Sequence, residues 1–141
     1  MTDLLLRVEG LTKRFGPVVA NDDVSFEVRR GELHCLLGEN GAGKSTLSSC
    51  IYGLYRPERG RLYWQEREVS FGSPGEALRL GIGMVHQHFV LVPAFTVIEN
   101  IIVGTNAPGI VLDVAAAARR LDELCRIYDL EADLHAEVGK L

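Results

Sequence analysis

Three glycines, a lysine and two hydroxyl residues crowd into Gly38-Glu39-Asn40-Gly41-Ala42-Gly43-Lys44-Ser45-Thr46, and this stretch constrains the fold more than any other. Glycine permits backbone angles closed to residues with a Cβ, so successive N–H groups can curl inward around an anion. Gly38, four free positions, then Gly43-Lys44-Ser45 fill every fixed place of the phosphate-binding loop template. A helix opening at Gly43 would aim its unpaired amides and positive dipole end at the same anion. Lys44 then reaches the β- and γ-phosphates, the Ser45 hydroxyl ligates Mg²⁺, and Thr46 adds a hydroxyl near the α-phosphate. The same residues also read as a glycine-rich turn that holds no ligand.

The template demands a buried strand before the loop and a helix after it. Residues 33–37, Leu-His-Cys-Leu-Leu, are short and mostly apolar, as an inner parallel strand would be. Leu47, Ile51 and Leu54 recur at helical spacing, with Gly53 and Pro57 where that helix should stop. Upstream, residues 4–8 and 24–28 read as strands, with turn chemistry at Gly10, at Gly16-Pro17 and at Asn21-Asp22-Asp23. Downstream, residues 61–64 and 68–71 form an expected hairpin, and Ser73-Pro74-Gly75-Glu76 has capping-box spacing for a brief helix ended by Gly81. Residues 82–86 read as another buried strand. Thr96 caps a helix carrying Val97, Ile98, Ile101 and Ile102. Asp113 opens a longer one whose apolar stripe is Val114, Ala117, Ala118, Leu121, Leu124, Cys125 and Tyr128.

Composition excludes several classes. A length of 141 residues suits about one domain, and a net charge of −4 argues against a broad nucleic-acid surface. No apolar run reaches the roughly 18 residues that cross a bilayer, and the N-terminus lacks the pattern of a secretion signal, so a cytoplasmic chain is expected. Cys35, Cys50 and Cys125 show no paired spacing and read as reduced, mostly packed thiols.

The surroundings of the loop resemble a known family. Leu11-Thr12-Lys13-Arg14-Phe15-Gly16, Val24-Ser25-Phe26-Glu27-Val28, the loop itself and Gly81-Ile82-Gly83-Met84-Val85-His86-Gln87-His88-Phe89 are similar to the nucleotide-binding domain of ATP-binding-cassette (ABC) transporters. The resemblance runs from the first strand to the last residue. It implies an α/β fold: a P-loop NTPase (ABC ATPase) core with an N-terminal antiparallel β-subdomain and the start of a helical subdomain, incomplete. Residues 1–91 would be the β-subdomain and loop core, and 92–141 the start of the helical part.

By the same resemblance Phe15 stacks on adenine with Val19 packed under the base, although Phe15 also reads as a plain core residue. Gln87 matches the glutamine that contacts Mg²⁺ or the attacking water, or else is a polar strand end. ATP and Mg²⁺ are the implied ligands, held by Phe15, Val19, Gly38, Glu39, Asn40, Gly41, Ala42, Gly43, Lys44, Ser45, Thr46 and Gln87, with Ser45 and Gln87 on the metal.

The implied role is the ATP-binding subunit of an importer for simple sugars or nucleosides. It would join permease subunits through the segment that opens at Phe89 and ends at Asn100, and a second nucleotide-binding domain in the intact protein. Membrane contact, at the cytoplasmic face, would come only through those partners, and no nucleic acid is implied.

Hydrolysis further needs a carboxylate strand for the metal and a positioned base. Residues 109–113, Gly-Ile-Val-Leu-Asp, are the one candidate, yet Asp113 is better explained as a helix cap than as a metal ligand. The family places its signature at about Leu141 and its Asp-Glu strand later, so this stretch is expected to be the front part of one domain without turnover. A non-hydrolysing nucleotide-binding module, or an ABC ATPase outside transport, is the alternative.

Overall fold

A computed structural model describes residues 3–87, 91–104 and 114–141, in two compact units, Met1–Val85 and His86–Leu141. The expectations placed on His88, Phe89 and residues 109–113, Asp113 included, lie outside the described residues.

The first unit is built on an antiparallel sheet of order β2-β1-β3-β4. Strands β1 (Leu4–Phe15) and β2 (Val18–Arg29) make one long hairpin closed by Gly16-Pro17, with Phe15 opposite Val18. Gly16 sits at φ 58, as a tight two-residue hairpin turn requires at its first central position. Val24, Phe26 and Val28 turn toward the core while Ser25 and Glu27 stay exposed, the period-two pattern of a sheet with one wet face.

Gly10 and Asn21-Asp22-Asp23 were expected to be turns; instead they lie inside the hairpin. Register shifts accompany them: Gly10 takes φ 61 and Asp23 φ 52, and the displaced amides find side-chain acceptors. The Gly10 amide donates to Ser25 Oγ at 2.8 Å, and the Asp23 amide donates to Thr12 Oγ1 at 3.1 Å. Bulges and turns draw on the same residue types, so local composition does not separate them.

Strand β3 (Arg59–Trp64) pairs with the other edge of β1, and β4 (Arg67–Val69) returns through Gln65-Glu66, both at positive φ as a twist-matched hairpin turn demands. Helix α1 (Lys44–Ile51) covers the sheet, and its Leu47 and Cys50 join Val8, Leu11, Leu62, Phe71, Ala77 and Ile82 in the buried core. Burial also pushes the Cys50 thiol pKa up, which keeps it protonated and inert. Helix α2 (Pro74–Arg79) has Pro74 at its start and ends at Gly81, φ 86. Its expected capping box is altered: Ser73 makes no side-chain cap, and Glu76 Oε2 accepts the Gly72 amide at 2.8 Å, one residue earlier than the motif predicts.

Two expected parallel strands are absent as ladders. Residues 32–39 and 82–86 carry no strand pairing among the described residues, and Leu33 and Leu37 are 90% and 93% exposed. A strand is defined by its neighbour's hydrogen bonds, and no described segment supplies them here. Cys35, expected to be packed, is exposed for the same reason.

In the second unit, α3 (Val97–Gly104) buries Ile98 and Ile102 against Leu134, with Ala117, Ala118 and Leu121 of α4 (Val114–Tyr128) alongside. The ends of the expected α4 stripe, Val114 and Tyr128, are exposed. The start of α3 is a reciprocal capping box: Thr96 Oγ1 accepts the Glu99 amide at 3.3 Å, and Glu99 Oε2 accepts the Thr96 amide at 2.8 Å. The Thr96 backbone and then its hydroxyl hold the Glu99 carboxyl below the usual carboxylate range. That contribution is present above the unfolded carboxylate pKa and is lost as pH falls through the folded value. Thr96→Ala is expected to cost about 1 kcal/mol, measured as faster hydrogen exchange at the amides of residues 97–99.

Candidate functional site

Residues 38–46 form an open loop that runs directly into α1. Gly41 and Gly43 take φ 87 and 83, the left-handed values that let the chain fold back on itself. Gly43 is the N-cap of α1, and its carbonyl accepts the first helical bond from the Leu47 amide at 2.9 Å. Among the described residues no side chain caps this helix, and no acidic residue sits in its first turn. Its leading amides therefore face outward with a positive dipole end, the arrangement an anion fits.

Lys44 folds over its own loop, donating from Nζ to the carbonyls of Gly38 at 2.6 Å and Glu39 at 2.7 Å. The ammonium thus stands at the loop mouth on two neutral acceptors, with no carboxylate among these contacts to neutralise it. Ser45 is exposed and Thr46 half-buried on the first turn. The donor set of open amides, a cation and a free hydroxyl fits a magnesium-bound polyphosphate.

Strand β2 holds the helix side of this loop. A Cβ built on Gly43 would lie 2.1 Å from the Ala20 carbonyl oxygen and 2.8 Å from Asn21 Nδ2, so only glycine fits there. Asn21, 7% exposed, donates from Nδ2 to the Gly43 carbonyl at 3.1 Å. By composition Asn21 reads as a turn residue, alongside Asp22 and Asp23. The signal that marks it as strand is the apolar run Val18-Val19-Ala20 directly before it.

Phe15 and Val19 lie at the hairpin tip of the same unit, 44% and 40% exposed. Phe15 is not a core residue. Its ring meets Tyr55 edge-on at 5.2 Å, and Lys13 Nζ lies 5.2 Å from its centroid. Lys13 is itself held by Glu58 Oε1 at 2.7 Å and by the Arg56 carbonyl at 2.9 Å. Lys13 first, and then the Arg14 amide, keep the Glu58 carboxyl below the usual range. Neither Tyr55 nor Glu58 is marked in the sequence, because Tyr55 reaches Phe15, and Glu58 reaches Lys13 and the Arg14 amide, from forty or more residues away.

Gln87 is exposed and belongs to the other unit, His86–Leu141. There, Asn100 ties the preceding loop to α3: its Oδ1 accepts the Val92 amide at 2.8 Å, and its Nδ2 donates to the Val92 and Thr96 carbonyls at 3.1 Å. Leu91, Val92, Phe95, Ile101 and Val103 remain exposed around it. No helix among the described residues is long and apolar enough to cross a membrane.

The family model described as ABC transporter matches residues 21–141. Among curated proteins, the chain is 48% identical over 132 residues to the nucleoside import ATP-binding protein NupA of Lactococcus lactis, covering 93% of this chain and 26% of that protein. It is 52% identical over 140 residues to the guanosine import ATP-binding protein NupO of Bacillus subtilis, covering 99% of this chain and 28% of the relative. The chain thus spans about a quarter of the length of these relatives.

A crystal structure of a nucleotide-free ATP-binding cassette from an ABC transporter superposes with a TM-score of 0.81 at 27% identity, over 98% of this chain and 59% of that one. Sequence and backbone agree: the chain belongs to the ABC transporter family and carries the fold of its ATP-binding cassettes.

Proposed function

We propose that the chain is part of the ATP-binding subunit of an importer for nucleosides or simple sugars, and that residues 38–46 hold the nucleotide's phosphates. The observation that carries this reading is the start of α1 behind Gly43, uncapped among the described residues, with the Lys44 ammonium resting on the Gly38 and Glu39 carbonyls. Triphosphate oxygens outcompete neutral carbonyls for that ammonium, because they add the Coulomb attraction of an opposite charge to the hydrogen bond. Ser45 would give its hydroxyl to Mg²⁺, which supplies charge neutralisation between β- and γ-phosphates when bound.

In this reading Phe15, braced edge-on by Tyr55, offers a ring face to the adenine, and Val19 packs beside it. Gln87 would serve the metal or the attacking water. NupA and NupO are named for nucleoside and guanosine import, which supports a solute of that class. The exposed apolar residues Leu91, Val92 and Phe95 support permease docking in the region up to Asn100, which would hold the subunit at the cytoplasmic face of the membrane. A second nucleotide-binding domain completes the proposed assembly.

Titration calorimetry with Mg-ATP tests the reading. Removing the Lys44 ammonium deletes charge-assisted bonds of about 1.5–3 kcal/mol, so Lys44→Ala is expected to weaken binding by about ten- to a hundredfold. Saturating ATP at a hundred times its Kd should stabilise the parent protein by about 2.7 kcal/mol. Equal affinity in parent and variant would overturn the assignment.

A further inference from the structure

The geometry points to Asn21 as a positioning residue for the phosphate loop, setting the direction of the Lys44 backbone amide. This rests on the proposal that residues 38–46 hold phosphates. The ladder between β1 and β2 pairs Lys13 with Asn21 and then Arg14 with Val19, so β2 spends one extra residue, Ala20, at this point. The bulge turns the Ala20 carbonyl and the Asn21 side chain onto Gly43, the two groups a Cβ on Gly43 would strike first.

The Gly43 carbonyl then receives two donors, the Leu47 amide at 2.9 Å and Asn21 Nδ2 at 3.1 Å. A peptide unit is planar and trans, so its N–H points opposite to its C=O. The N–H on the far side of the Gly43 carbonyl is that of Lys44. It is one of the helix-start donors that have no partner within the helix. Fixing the carbonyl from both sides therefore aims this donor at the loop mouth.

The other end of Asn21 argues for a role in the site rather than in the fold. Its Oδ1 is buried with no hydrogen-bond partner among the described residues. Exchanging the amide's oxygen and nitrogen would only set Oδ1 against the Gly43 oxygen, acceptor to acceptor. A buried unpaired acceptor destabilises a fold, and an apolar residue of the same size would not carry that cost. Asparagine is also a poor strand residue. The residue serves the loop at the expense of the strand.

Asn21→Leu in the intact protein separates the two roles. Thermal melting without nucleotide is expected to be unchanged or raised. Magnesium tripolyphosphate and Mg-ATP should both bind about three- to tenfold more weakly, the worth of one hydrogen bond. Asn21→Asp, which keeps the size but replaces the donor by an acceptor, should weaken both ligands at least as much. A lower melting point in parallel with weaker binding, or full affinity in either variant, would overturn the inference. Lys44→Ala tells the two failures apart. If it binds tripolyphosphate normally, the loop assignment fails; if it loses binding while Asn21→Leu does not, only the role of Asn21 fails.

Discussion

Replacing Gly60 with alanine is expected to unfold the Met1–Val85 unit. Gly60 lies in β3 at φ 102, and a Cβ placed on it would sit 2.5 Å from Leu11 Cα and 2.7 Å from both the Glu9 oxygen and the Leu11 nitrogen. All three atoms belong to the backbone of β1, the strand that both neighbours pair with. A side chain could swing aside, but here the ladder itself must open, next to Leu11, which is fully buried. Left-handed strain costs about 1–3 kcal/mol and overpacking about the same again, for a total of roughly 2–6 kcal/mol. A whole domain is stable by only about 5–15 kcal/mol. Chemical denaturation read at Trp64, which is packed against this core, should show the transition shifted to far lower denaturant or lost. A melt like that of the parent would contradict the close contact.

Gly43→Ala should leave more of the fold but remove the proposed ligand. The Ala20 oxygen, 2.1 Å from the added Cβ, belongs to the β2 bulge and is flanked by Val19 and Asn21, which are both paired with β1, so the loop rather than the strand has to move. Moving it breaks the bond from Asn21 and displaces the Lys44 amide. We expect Mg-ATP affinity to fall by about a hundredfold, equivalent to the roughly 2.8 kcal/mol that such a steric conflict can impose. Gly41→Ala is the control: it has φ 87 but nothing within 4 Å of a built Cβ. It meets only the backbone penalty of about 1–2 kcal/mol for a left-handed alanine. Fluorescent-nucleotide titrations of both variants should rank them in that order; equal losses would mean that contact with β2 is irrelevant.

Local signals in the chain were enough for the helix behind the loop, the turn at Gly16-Pro17 though not the full length of the strands it joins, the brief helix after Ser73 and the capping of α3 by Thr96. Each depends on residues within a turn or two of one another. What could not be read depends on distant neighbours. Residues 33–37 have the composition of an inner strand, but pairing is a property of two segments, and none of the described residues takes the second place. Gly60 carries no local mark of its close approach to Leu11, which lies forty-nine residues away in the chain. Asn21 and Gly43 are twenty-two residues apart, and neither alone announces that the strand grips the loop. The candidate site was legible where its chemistry is local, from Gly38 to Thr46, and illegible where that chemistry is steered from β2.

The grip is one-sided, and this sets an entropic term in any affinity the loop has. Gly43 is clasped from β2, whereas residues 33–37 carry no strand pairing among the described residues. Ordering a residue costs about 1–2 kcal/mol of conformational free energy, so fixing this approach on ligand binding offsets several kcal/mol of contact energy. A strand laid alongside residues 33–37 beforehand would remove that cost and tighten binding without touching the nucleotide. Affinity at the loop is thus open to control from its unladdered side.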